Sequence, residues 1–531
     1  MGTTPHPDAA RDPYARARGE VDEMIHWAES LAHDLGHEAV EKLLVERTTE
    51  VARITLQEHL DQRFLRERIA LRDAPTPGIE SRARTRNLET TVGTVIVRRL
   101  ALTPKRARPR PVGVDKQKRH ARLRGAAHTV VMPADARLSM PTQRYSAPLR
   151  EVAVRHVARS SIDDACELVD RSTGGHVPPR QLMALVRCAA QDVEPFYEAR
   201  AAATTAWASD ERVLEVMSAD GKGVRMRPEG LREETRKLAE AESQQAARGD
   251  PMAQRRARNH DRRMALVTAN WEQVALARTP EDILRDLKSS PKGRPRRVPR
   301  PDTPRRSLPR PQNKRVRASL VHDQKARIAE MFAETARRDP THARPWVVLV
   351  DGSESQLAQV RAKAQELGID VTIIVDVIHV LHYLWVLSGL LVDEATETRD
   401  DWVREHLMGL MTRRADHVVS GIRQSATLRG LTGDARKSLD AAVGYLAKAS
   451  SCLDYGAYLR AGMPIATGVI EGACRYLVQD RMGITGARWG LEGGEAVLGV
   501  RAVELCGDWD NFWRFHLERE HERNYPAQVA A

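Results

Sequence analysis

The chain has 531 residues and a formal net charge of +12, with 84 Lys and Arg against 72 Asp and Glu. That length exceeds what one hydrophobic core can organise, so several domains are expected, and the basic balance points to a polyanionic partner, either nucleic acid or an acidic membrane surface. No apolar run is long enough to span a bilayer and no signal-like segment opens the chain, which favours nucleic acid in the cytoplasm over a membrane. The five cysteines, Cys166, Cys188, Cys452, Cys474 and Cys506, are scattered without a CxxC pair. They read as buried free thiols in a reducing compartment, not as zinc ligands or a disulfide frame.

Residues 1–16 are polar and carry no apolar pattern. Residues 1–85 form an N-terminal helical region, in which Val21, Met24, Ile25, Ala28 and Leu31 make one stripe. It suits a helical scaffold or a dimerisation arm. Residues 86–144 form a small strand and basic-loop region. The spacing predicts a strand over 90–100, then a Lys-, Arg- and Pro-rich stretch at 104–124 that is either a solvated loop or a phosphate-tracking arm. Residues 145–205 read as short helices at 147–158, 162–169 and from Pro178-Pro179 to 190, with the turn Ser172-Thr173-Gly174-Gly175 between the last two. This resembles a helix-turn-helix with Arg180 and Gln181 opening the recognition helix; an ordinary helical bundle fits the spacing nearly as well.

Residues 206–380 and 462–506 read as two parts of one α/β sheet domain. A first strand leads to Asp220-Gly221-Lys222-Gly223, an expected bend into a hairpin, with Lys222 placed to neutralise phosphate. Strand character returns at 263–274, followed by a short helix over 280–287. The Pro- and Arg-rich tract 289–317 is a solvated linker or a basic strap on DNA. A helix over 320–338 leads to the apolar run Trp346-Val347-Val348-Leu349-Val350, a strand buried on both faces that ends in Asp351-Gly352. Ser353 and Gln356 then fit a capping box. A second strand, 371–375, ends in Asp376, and Asp376, His379 and Tyr383 share one face of the next helix. Residues 381–461 read as a helical insertion. Beyond it Thr467 suits a helix cap, and Glu471 and Arg475 stand at i,i+4 spacing as a surface ion pair. Residues 507–531 read as a C-terminal tail.

Asp220, Asp351 and Glu471 are ordinary one at a time. Together they place an acid on a first strand, an acid ending a later buried strand and an acid on a late helix. That is the order of a ribonuclease H-like phosphoryl-transfer site. Hard carboxylate oxygens suit Mg²⁺ or Mn²⁺, and two ions about 4 Å apart can hold both the attacking and the leaving oxygen.

The pieces Asp220-Gly221-Lys222, Leu349-Val350-Asp351-Gly352, Asp376-Val377-Ile378-His379 and the run from Gly462 through Glu471 to Arg488-Trp489 resemble bacterial insertion-sequence DDE transposases of the ISKra group, relatives of Mutator-like and ISL-type elements. The resemblance covers roughly residues 145–513. It implies a multidomain α+β chain: a ribonuclease H-like α/β catalytic domain with a helical insertion, preceded by helical and helix-turn-helix DNA-binding regions. It implies that Asp220, Asp351 and Glu471 are the catalytic, metal-binding triad for two Mg²⁺ or Mn²⁺ ions, with Asp376 and His379 auxiliary. Asp376 also ends a strand and could replace Asp351 as a ligand. Arg180, Gln181, Lys222, Arg475, Arg488 and Trp489 would meet double-stranded DNA, at the element's ends and at the target. Transposases of this kind work as dimers or higher assemblies. The alternatives are a nuclease that cuts without joining, and a domesticated or decayed transposase that binds specific DNA.

Overall fold

The computed structural model describes residues 12–30, 32–75, 77, 79–104, 132–202, 212–248, 252, 260–286, 309–392, 396–466 and 468–526. The expected basic stretch at 105–124, most of the tract at 289–317, and the Thr467 cap lie outside the described residues. The chain is mixed α and β, in two compact units: Met1–Asp192 with Asp510–Ala531, and Val193–Trp509. Among the described residues no helix is long and apolar enough to cross a membrane.

In the first unit α1 (Ala15–Ser30) packs on the long α2 (His37–Asp73). An antiparallel hairpin follows, β1 (Ile79–Thr90) and β2 (Gly93–Pro104), closed where Thr90 pairs with Gly93. Leu88, Val95 and Val97 form its core against Leu56 and Leu60 of α2. Only the second strand is legible in the sequence. β1 alternates Arg82, Arg84 and Arg86 with Ala83 and Thr85, and acquires strand form from its partner, not from apolar periodicity. After α3 (Pro133–Arg137) come α4 (Ala147–Arg159), capped by Ser146, α5 (Ile162–Ser172), capped by Ser161, and α6 (Pro179–Ala190), which opens on Pro179. Residues 173–178 join α5 to α6, longer than the three or four residues of a tight helix-turn-helix turn. Arg180 and Gln181 are exposed in the first turn of α6.

The expected C-terminal tail is instead a helix, Trp509–Asn524. Its polar face is anchored in the first unit. Arg150 donates two 2.6 Å hydrogen bonds to Glu520, and His516 and Arg523 both close on the buried Asp192. These partners lie more than 300 residues apart, which is why the sequence shows only an aromatic, charged tail.

The second unit begins with α7 (Val193–Ala202) and holds a five-stranded sheet: β3 (Val213–Arg225), β4 (Arg262–Val274), β5 (Gln312–Ser319), β6 (Trp346–Val350) and β7 (Val371–Val375). The order is β5-β4-β3-β6-β7. The first three strands are antiparallel neighbours; β6 runs parallel to β3, and β7 parallel to β6. β6 is buried at every position, as its unbroken apolar run requires. Between strands lie α8 (Glu233–Ala247), α9 (Pro280–Asp286), α10 (Gln324–Arg338) and α11 (Glu354–Leu367). A helical layer follows β7: α12 (Val377–Leu391), α13 (Thr396–Thr412), α14 (Ala415–Leu428), α15 (Gly433–Lys448) and α16 (Tyr455–Arg460). The chain then returns through α17 (Gly468–Ala473), a π-helical turn (Cys474–Gln479) and α18 (Leu491–Leu505).

Three expectations are corrected here. Asp220-Gly221 is not a bend: β3 passes straight through it, with Asp220 opposite Val267 and Gly221 opposite Leu266. A Cβ at Gly221 would stand 2.9 Å from the terminal methyl of the exposed Met264, a flexible end that can move aside. Residues 312–317 are not linker but most of β5, whose Val316 and Ala318 face the core while Arg315 and Arg317 reach carboxylates of Asp508 and Glu194. The helix expected from 320 starts at Gln324, where Asp323 caps it. β5 is an edge strand, and the Cys506 thiol covers it by bonding both the N–H (3.3 Å) and the carbonyl (3.4 Å) of Val316.

Candidate metal centre

Strand register brings three carboxylates level. Ser218 pairs with Leu349 across β3 and β6, and Val350 with Val375 across β6 and β7. Asp220 stands two residues past the last β3–β6 pair, and Asp351 and Asp376 each stand one residue past the last β6–β7 pair, so the three acids lie on neighbouring chain segments near one level of the sheet. This is the C-terminal edge of the parallel strands, where α/β sheets present ligands.

Local backbone fixes each acid. Asp220 Oδ1 accepts from the Gly221 N–H at 2.6 Å, Asp351 Oδ1 from Ser353 N–H at 2.8 Å, and Asp376 Oδ1 from Ile378 N–H at 2.7 Å, capping α12. The expected Ser353–Gln356 capping box is corrected: Ser353 makes no side-chain cap, and Gln356 reaches past it. Its side-chain carbonyl accepts from Asp351 N–H at 3.1 Å, and its amide donates to Ala219 O at 2.8 Å, tying the middle of β3 to the end of β6.

Glu471 enters from α17. Glu471 is exposed, yet its carboxyl is pushed up to about 7, first by desolvation among the surrounding atoms and then by the negative charge of Asp376 and Asp220. His379, when protonated, pulls the other way. The helix that carries Glu471 packs against β3 and β4, the strands on either side of the Asp220 ladder. The expected Glu471–Arg475 ion pair is corrected. The π turn begins at Cys474 and breaks the i,i+4 spacing, so Arg475 lies 3.6 Å from Asp480, five residues on. Among the described residues, Asp220, Asp351 and Glu471 have no ion-pair partner.

The raised Glu471 carboxyl has a consequence for stability. The folded chain holds this proton more tightly than the unfolded chain, whose value is near 4.5. Stability from this group therefore falls as pH rises from about 4.5 to 7, and the loss is complete above that range. In metal-free buffer, Glu471→Gln is expected to melt above wild type at about pH 8 and level with it near pH 4. Melting followed by circular dichroism checks this; a pH-independent difference would refute it.

Cys474, one helical turn beyond Glu471, lies with its sulfur 3.6 Å from Asp220 Oδ2. Burial, then the Asp220 charge, pushes this thiol up to about 12, so it donates to the carboxylate as S–H. The sequence showed it only as a stripe position. Of the expected DNA contacts in this unit, Lys222 is half-buried and Arg475 exposed, while Arg488 is exposed 3.8 Å from Asp261. Trp489 is corrected: it is 7% exposed, its indole N–H donates to Met482 O at 2.9 Å, and the Arg481 guanidinium covers its ring. That ring is core and cannot meet a groove.

The donor set is of the kind a hard divalent cation takes: several carboxylate oxygens that raise one another's proton affinity. The four acids do not close tightly in this structure. Among the described residues only Glu194, His322 and Glu330 bring possible ligand atoms within 4.8 Å of one another. Arg317 and Arg327 sit on those carboxylates, at 2.5 Å from Glu194 and 2.5 Å from Glu330, and neutralise the cluster without a metal. No protein-family model matches this chain, and no curated protein matches it significantly.

Proposed function

We propose that the chain is a DNA transposase that binds the terminal inverted repeats of an insertion sequence and cuts and joins DNA strands with divalent metal ions. One observation carries the reading: Asp220 on β3 and Asp351 just past the end of the neighbouring parallel β6 are joined through Gln356, and Glu471, arriving after a helical insertion on α17, packs against β3 and feels the charge of Asp376 and Asp220. The sheet order supports a ribonuclease H-like reading, with three antiparallel strands extended on one side by two parallel ones. The net charge of +12 supports a DNA partner.

Asp220, Asp351 and Glu471 would hold Mg²⁺ or Mn²⁺, which when bound supplies the positive charge that phosphoryl transfer in DNA needs. Gly221, Ser353 and Ile378 N–H groups orient the three aspartates, so each keeps one oxygen committed to the backbone. Asp376 stands beside Asp351 and is the foremost charge acting on Glu471, which keeps it in the set as an alternative ligand.

The test is incubation of the purified chain with duplexes carrying the sequences that flank its gene, in Mg²⁺ and in chelator. Metal-dependent nicking with joined products is the expected result. Nicking alone would favour a nuclease, and sequence-specific binding without nicking a regulator. Binding itself has a separate expectation. Arg180→Ala should relax discrimination between sequences, whereas removing a phosphate contact weakens all sequences alike and lowers the salt slope by about 0.9. Unchanged discrimination in anisotropy titrations of Arg180→Ala would remove α6 as the recognition helix.

A further inference from the structure

The helical layer between β7 and α17 touches the strand ends through two tyrosines. Tyr445 of α15 donates its hydroxyl hydrogen to the carbonyl of Asp351. Tyr455 of α16, fully buried, donates to the carbonyl of Val375 at 2.8 Å, the residue just before Asp376. Both carbonyls lie where β6 and β7 end, at the point where sheet pairing stops supplying donors.

The contacts form a closed ring. Asp376 caps α12, and Tyr383, two turns along that helix, stacks on Tyr445 at 4.0 Å between centroids. Tyr445 holds Asp351, and Asp351 lies beside Asp376 across the ladder. Gly352 completes it. Its φ of +83° suits glycine, and a Cβ there would stand 2.6 Å from the Tyr445 hydroxyl oxygen. A larger residue would push the tyrosine off the Asp351 carbonyl.

We infer that the helical layer is a brace for the metal centre, with Tyr445 and Tyr455 as positioning residues whose hydroxyls fix the strand ends and so set the separation of the Asp351 and Asp376 carboxylates. This rests on the metal-binding reading given above. Any buried tyrosine hydroxyl needs a hydrogen-bond partner, and here the partners are the carbonyls at and beside the acids, Asp351 and Val375. A brace needs the hydroxyls, because only they reach the carbonyls.

The test compares wild type with Tyr445→Phe, and with Tyr455→Phe as a second variant, in two measurements that do not depend on turnover. The first is Mn²⁺ affinity, followed by the electron paramagnetic resonance of the free ion. Groups that orient metal ligands typically contribute about 10-fold or more to metal affinity, and a drop of about that size is expected for Tyr445→Phe with its melting temperature near wild type. The second is amide hydrogen exchange at Gly352 and Ser353 without metal, which should speed up in Tyr445→Phe. Wild-type Mn²⁺ binding with equal affinity and equal exchange in the folded Tyr445→Phe chain overturns the brace and leaves the metal reading standing. A wild-type chain that binds no Mn²⁺ overturns the metal reading, and the brace with it. Tyr455→Phe, if it folds, should lower Mn²⁺ affinity as well; unchanged affinity there would release Val375 from the brace.

Discussion

Glu471→Gln is expected to cut metal-dependent strand cleavage and joining on the order of 10²–10³-fold while folding and DNA binding stay near normal. The substitution keeps size and polarity but removes the charge that a divalent cation requires. A group that stabilises transition-state charge is worth that much when removed, roughly 3–4 kcal/mol of barrier. An exposed carboxylate with no such role would cost less than about 0.5 kcal/mol of stability and leave the rate alone. Among the described residues Glu471 makes no Lys or Arg ion pair, and its expected partner Arg475 turns to Asp480 instead, so a lost salt bridge to Arg475 cannot imitate the effect. Asp220→Asn and Asp351→Asn are expected to match it, since all three acids would hold the same ions. Rates on repeat-bearing duplexes in Mg²⁺, with binding measured separately by anisotropy, check the set. Near-normal cleavage by Glu471→Gln would falsify the triad.

Asp192→Ala is the substitution expected to cost most in stability. Asp192 is 2% exposed and accepts from His516 at 2.6 Å and from Arg523 at 2.6 and 2.8 Å. Burial alone would raise its carboxyl, but the hydrogen bonds from His516 and Arg523 outweigh that and hold it below the usual range. Breaking such a group strands a buried imidazole and frees a guanidinium, at about 3 kcal/mol. The C-terminal helix should then release first, read as early tryptic cleavage within 514–523 and a lower urea midpoint. The native contribution is present above the ordinary Asp value and fades as pH falls through the depressed one. A shift under about 0.5 kcal/mol at neutral pH would show that the helix is held by its apolar face instead.

Local signals carried much of the fold. β6 and β7 announce themselves as apolar runs, Asp376 as the acid that ends the second of them, and Pro179 as a first-turn residue. In each case the cause lies within a few residues of the effect. Elements whose form comes from a distant partner were not legible. β1 and β5 are rich in Arg and become strands because β2 and β4 pair with them. Asp220-Gly221 looks like a turn in isolation, and only the ladder to β4 holds it extended. At the site, the acids stood out as residue types at strand ends. Their supports did not: Gln356 is 137 residues from Ala219, and Tyr445 is 94 from Asp351. The π turn after Glu471 has no periodic signature, which is why the Arg475 pairing was misread.

The cover that Cys506 places on β5 bears on how this chain keeps from aggregating. An edge strand with free N–H and carbonyl groups templates pairing with a second molecule. Here one thiol occupies the N–H and the carbonyl of Val316, and Arg315 donates to the Cys506 carbonyl from the same strand. A sulfur that has been oxidised to a bulky acid cannot sit in that place. Burial raises this thiol and holds it as S–H, the form that resists oxidation, so the seal over β5 is expected to persist in air without added reductant.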